Sequence, residues 1–131
     1  MTHEARFRVY YEDTDMAGVV YYANYLKFIE RARSDALAGA GVDQRAMREA
    51  GVVFVVTRVE ADYLAPARYG DEIDVTTVAV EVKGASAALS QTVSRDGAPL
   101  FRALVRFACM TTAGRPVRMP DAARAALQAM E

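Results

Sequence analysis

Asp13, Thr14 and Asp15 stand just ahead of Gly18, in a connection between two segments of different hydrophobic period. Upstream, Phe7, Val9 and Tyr11 alternate with charged or amphipathic neighbours, which predicts a half-buried strand over residues 6–12. Downstream, Tyr22, Tyr25, Leu26, Ile29, Ala32, Ala36, Leu37 and Ala40 recur on one helical face. A carboxylate in such a connection lies close to a helix N-terminus, where free backbone N–H groups and the positive end of the helix dipole concentrate. Those N–H groups can hold a developing oxyanion. The carboxylate can attack a carbonyl carbon or deprotonate a water, and Gly18 lets the backbone fold tightly against a ligand. Acyl transfer is the chemistry this arrangement suits. The same residues also have a purely structural use, because Asp and Thr side chains close turns by bonding nearby backbone. Residue chemistry alone leaves both readings open.

Positioning that connection requires a rigid frame, and the rest of the chain supplies one. The helix predicted from Tyr22 runs about 18 residues, or about 27 Å, and ends at Gly39 and Gly41. Its alanine-rich face allows a close approach to a sheet. A shorter helix is expected over 43–50. After Gly51 the chain reads as strands over 52–63, 71–82, 85–94 and 100–111, separated by Ala65-Pro66-Ala67, Lys83-Gly84 and Asp96-Gly97. Within the second of these the apolar face changes from Ile73, Val75 and Thr77 to Val78, Val80 and Val82, which predicts a bulge or bend. A short helix over 120–130, capped near Asp121, closes the pattern. Strands joined by short connections pair antiparallel, so the expected class is α+β: one domain over 1–131, with five antiparallel strands and a long helix on their concave face. The uncovered side of the Tyr- and Val-rich strands predicts a homodimer or homotetramer.

Composition narrows the function classes. With 16 basic and 17 acidic residues the net charge is −1, and no overall electrostatic footprint for nucleic acid exists. One cysteine excludes an intrachain disulfide, and with one histidine it cannot form a His/Cys zinc site. Cys109 lies in an apolar strand and is expected in the core. His3 is expected at the surface, ahead of the first strand. Neither a signal-peptide pattern nor an apolar run long enough to span a membrane is present, so the expected compartment is the cytoplasm.

The run Arg8-Val9-Tyr10-Tyr11-Glu12-Asp13-Thr14-Asp15, followed by Gly18-Val19-Val20-Tyr21, resembles the catalytic segment of the 4-hydroxybenzoyl-CoA thioesterase family of the hot-dog superfamily. Its pattern is most similar to the acyl-CoA thioesterases encoded with the Tol–Pal envelope system. The similarity continues through Tyr25, Phe28-Ile29-Glu30-Arg31-Ala32-Arg33 and Tyr63-Leu64-Ala65-Pro66-Ala67-Arg68. It implies a hot-dog fold, in which a five-stranded antiparallel sheet wraps around one long central helix. It also implies hydrolysis of short-chain or aryl acyl-CoA thioesters, with acyl-carrier-protein thioesters as the other substrate class. By position, Asp15 is the implied catalytic carboxylate and the backbone N–H of Tyr22 the implied oxyanion donor. Gly18, Val20 and Tyr21 would line the acyl pocket. CoA would be part of the substrate, and no other cofactor and no metal are implied.

The phosphates of CoA call for cations. Lys83, Gly84 and Ser86 offer a charge, a flexible turn and a hydroxyl, and family members place such a turn near the CoA pyrophosphate, often across a dimer interface. An ordinary hairpin with a solvated lysine is the other reading. Arg68, Arg95 and Arg115 are further cations without a positional argument, and Glu30 is a second carboxylate on the helix. One position departs from the pattern: Tol–Pal-type members carry His where this chain has Tyr22, as the aryl-CoA members do. Polarisation by a backbone N–H survives that exchange, whereas substrate preference need not. Two other functions fit the same resemblance. A non-catalytic acyl-CoA or acyl-carrier-protein scaffold is disfavoured by the retained Asp15 and Gly18. A hydratase would need a histidine paired with an acid, and His3 stands outside the expected strands.

Overall fold

Alternating burial marks four of the five strands of the sheet. In the computed structural model, which describes residues 2–131, the strands are β1 (His3–Arg8), β2 (Val52–Tyr63), β3 (Glu72–Val82), β4 (Ser86–Arg95) and β5 (Ala98–Thr111). They form one antiparallel sheet in the order β1-β3-β4-β5-β2. Helix α1 (Asn24–Gly39) lies in the hollow of this sheet, with α2 (Gln44–Glu49) and α3 (Asp121–Gln128) at its far end. The α+β layout is the expected one.

Phe28, Ile29 and Ala32 of α1 share a core with Ile73, Val75, Val93, Phe101, Ala103 and Val105. A second core joins Ala36 and Leu37 to Leu89, Phe107, Cys109 and α3. The small side chains of Ala32 and Ala36 let the helix sit close to the strands. Burial also raises the Cys109 thiol above its ordinary pKa, which suits a core residue. Gln91, fully buried, crosslinks the layers: its Nε2 donates to Ile29 O and Thr77 Oγ1, each at 2.9 Å, and its Oε1 accepts from Arg33.

Several boundaries differ from the sequence reading. The first strand ends at Arg8 because the Asp13 carboxylate accepts the Tyr10 N–H at 2.8 Å, winding Tyr11–Asp13 into a 3-10 turn. Helix α1 starts at Asn24, two residues after Tyr22. Leu26 and Ala40 are exposed, while Phe28, outside the expected stripe, is buried. The bulge in β3 exists, but at Val80: the buried face continues through Thr77 and Ala79, and Val80 points outward. Thr77 can stay inside because Gln91 satisfies its hydroxyl. His3 is half-buried in β1, opposite Thr77, and not ahead of the strand. The cap of α3 is Pro120, without a side-chain bond from Asp121. At Asp96-Gly97 both residues have positive φ, as a two-residue hairpin with the right-handed strand twist requires.

Candidate active site

The connection between β1 and α1 is held by its own polar groups. Thr14 pairs with Val20 across a tight turn, in which Asp15 N–H donates to Val19 O and Gly18 N–H donates to Asp15 O, both at 2.9 Å. Gly18 adopts φ +77°, a conformation that a side chain would strain. The two acids of the motif then separate in role. Asp13 is half-buried and ties the turn together: its Oδ2 accepts from Tyr10 N–H and its carbonyl from Tyr21 N–H (2.9 Å) and Asn24 Nδ2 (3.0 Å), while its Oδ1 has no hydrogen-bond partner among the described residues. Asp15 is exposed, and its Oδ1 accepts from Ala17 N–H at 2.9 Å, whereas Oδ2 has no hydrogen-bond partner among the described residues. Asp15 closes a turn and keeps one carboxylate oxygen free.

The turn docks against the segment that follows β2. Val20 N–H donates to Ala67 O at 2.8 Å, Val19 bridges Arg68, and Ala67 N–H donates to the Tyr25 hydroxyl at 3.0 Å. The resulting pocket is lined by Asp15, Val19, Val20, Tyr22, Tyr25, Tyr63, Leu64, Ala65 and Pro66. Asp15, Val20 and Tyr22 thus meet in one place, with Gly18 shaping the turn beside them. Tyr21 stacks edge-on against Tyr22, with ring centroids 5.0 Å apart, and is not part of the lining. At the start of α1, Asn24 N–H donates to Tyr21 O, while the N–H groups of Tyr22 and Ala23 engage no protein acceptor among the described residues. Of these two residues Tyr22 lines the pocket, and its unengaged donor with a carboxylate beside an apolar wall suits attack on an acyl carbon. Asn24 and Tyr63 are the residues that sequence reasoning did not assign. Asn24 is legible only as a polar residue at a helix start, and Tyr63 only as part of a shared motif.

The remaining candidates lie elsewhere. Lys83, Gly84 and Ser86 form the β3–β4 turn at the other end of the sheet, a β3 length of about 33 Å away. Lys83 reaches Glu81 at 3.5 Å, and a side chain at Gly84 would come within 3.3 Å of the Arg118 guanidinium, a second cation beside the turn. A single copy of the chain does not join this turn to Asp15. Glu30 accepts from Ser34 at 2.9 Å and faces a different groove. His3 stands away from the Asp15 pocket, and its Nδ1 is buried without a partner. Arg115 lies at the end of β5, outside the pocket. Among the described residues no cluster of His, Cys, Asp or Glu could hold a metal ion, and no helix is long and apolar enough to cross a membrane.

Arg95 is a structural cation. Its Nη1 donates to Asp71 Oδ2 at 2.6 Å and to Pro66 O at 3.3 Å, while Arg68 N–H donates to the same Asp71 oxygen at 2.8 Å. Burial alone would raise the Asp71 carboxyl, but these two partners hold it below its ordinary value. A depressed pKa contributes stability that is present above the ordinary value of 3.8 and is lost as pH falls through the folded one. Asp71→Asn is expected to cost about 1–2 kcal/mol at pH 7, discounted because Arg95 is about one-third exposed. Thermal melts of both proteins should converge as pH falls below 3.8.

Comparison with known proteins agrees with this geometry. Residues 9–127 match the family described as the thioesterase-like superfamily. The acyl-CoA thioesterase YbgC of Haemophilus influenzae is 40% identical over 121 residues, covering 91% of this chain and 89% of that protein. The crystal structure of a probable thioesterase from Bartonella henselae superposes with a TM-score of 0.87 at 32% identity, covering 92% of this chain and 100% of that one. A 1,4-dihydroxy-2-naphthoyl-CoA thioesterase from Synechocystis gives a TM-score of 0.91 over 98% of this chain and 96% of its own, and at 22% identity it speaks for the fold alone.

Proposed function

The chain belongs to the thioesterase-like superfamily, and on that premise we propose that it hydrolyses short-chain or aryl acyl-CoA thioesters with Asp15 as the catalytic carboxylate. The kinship to acyl-CoA thioesterases makes it a thioester hydrolase. The observation that supports the residue assignment is that Asp15, with Oδ2 free, and Tyr22, with its N–H unengaged, line the same pocket.

The thioester carbonyl would accept from the Tyr22 N–H, with the acyl group along Val20 and beside Gly18 and Tyr21. Asp15 then either attacks the carbonyl carbon, forming a mixed anhydride that water cleaves, or deprotonates the attacking water. Either route expels the CoA thiolate, which leaves readily without a strong general acid. No step needs a metal or a resident cofactor. Because the backbone of Tyr22 acts and its side chain is exposed, Tyr22→His should leave kcat within about threefold while changing the ranking of acyl groups. Thiol release from a panel of acetyl- to aryl-CoA and acyl-carrier-protein thioesters tests this reading. Binding of acyl-CoA without thiol release across the panel would instead identify a scaffold.

The working unit in this reading is a homodimer or a pair of such dimers. Strand β2 forms one edge of the sheet, and Val55, Val56, Val59, Tyr63 and Leu64 along it are 39–49% exposed. An open edge carrying an apolar strip invites pairing with a second copy. Such pairing would also let Lys83, Gly84 and Ser86 of one copy serve the CoA bound at Asp15 of the other. Sedimentation velocity should give at least a dimer for the native chain and a smaller species for Val56→Lys with Val59→Glu. A native monomer would contradict this part.

A further inference from the structure

Tyr63 ends β2 opposite Phe101, and its hydroxyl donates to the carbonyl oxygen of Tyr22 at 2.8 Å. The contact joins the rigid sheet to the turn that starts α1, across 41 residues of sequence. The ring of Tyr63 is itself held, edge-on to Phe101 at 5.0 Å and to Tyr25 at 5.6 Å, and both of those rings are buried. Tyr63 also lines the Asp15 pocket. Burial pushes its phenol above the ordinary pKa, with smaller contributions from Tyr22 and Tyr25, so it remains a donor at neutral pH.

A peptide unit is planar and trans, so the Tyr22 carbonyl and the Ala23 N–H share one plane and point in opposite directions. Fixing the carbonyl therefore fixes the plane of the peptide unit that follows the Tyr22 N–H, while the Ala23 N–H faces away from Tyr63. The neighbouring ties, Tyr21 N–H to Asp13 O and Asn24 N–H to Tyr21 O, leave that peptide unit without any other anchor. Without the hydroxyl, an unpaired carbonyl would also sit at a pocket where negative charge develops.

We propose that Tyr63 is the positioning residue of the oxyanion site: its bond to the Tyr22 carbonyl ties the helix-start turn to the sheet and so holds the Tyr22 N–H toward the thioester oxygen. The inference rests on the thioesterase reading of this pocket and names a residue that reading does not use.

The test is Tyr63→Phe in the full chain, with kcat, KM and thermal midpoint measured on the best CoA thioester of the panel. The ring packing stays, so the midpoint should move by no more than about 5 °C, the loss of one hydrogen bond, and KM by less than about twofold. One neutral hydrogen bond corresponds to a kcat lower by about threefold to tenfold. A kcat within about 1.5-fold of wild type overturns the proposal. A drop in midpoint with kcat and KM both altered also overturns it, since that marks a structural role. Asp15→Asn run alongside separates the two claims. If it keeps wild-type turnover, the reading of the pocket fails and takes this inference with it; if it is inactive while Tyr63→Phe is unaffected, only the inference fails.

Discussion

Phe101→Ala is expected to lower stability by about 3–5 kcal/mol, the largest loss from any single truncation near the site. Phe101 is fully buried, stacks on Tyr25 with centroids 4.9 Å apart and planes 14° apart, and meets Tyr63 edge-on. The three rings form the floor that carries both the start of α1 and the end of β2. Removing the central ring leaves a void that its neighbours cannot fill without moving Tyr25, whose hydroxyl holds Ala67 N–H. For a domain of this size the thermal midpoint should fall by about 10–20 °C. Since a domain has about 5–15 kcal/mol in total, the variant should fold at low temperature and melt early. A shift below about 3 °C in a thermal melt would show that these rings do not support the site.

The fold was legible where the information is local. The change of period around residues 13–22, the Asp96-Gly97 hairpin and the short connections lead to an antiparallel sheet with one long helix, as observed. The gathering of Asp15 and Tyr22 around the Gly18 turn was legible for the same reason, because Asp13, Asp15, Gly18 and Tyr22 lie within ten consecutive positions. What sequence did not reveal depends on partners far along the chain. The β3 bulge sits at Val80, where the register against β4 slips between Ala79 and Glu81, and pairing with a later strand is a relation that periodicity does not encode. Tyr11 leaves the strand because Asp13 competes for the Tyr10 N–H. Which of the two acids lines the pocket, and that Tyr63 reaches the Tyr22 carbonyl, follow only from three-dimensional register. The division of Arg95 from the candidate cations follows likewise from its bond to Asp71.

Asp15→Asn is expected to lower kcat by about 10²–10⁴-fold. The amide oxygen can still accept the Ala17 N–H that Oδ1 accepts now, so the turn and Gly18 should keep their geometry. What is lost is the negative charge and basicity of the free oxygen, needed for either attack or proton abstraction. Neither role contributes to holding the ground-state substrate, so binding should change little. That separation of binding from turnover is what an assigned catalytic carboxylate requires. The decisive measurement is thiol release and acyl-CoA binding on wild type and Asp15→Asn, with the same thioester. The expected result is binding within about threefold for both and turnover in the wild type alone; equal turnover by the two proteins would contradict the assignment of Asp15.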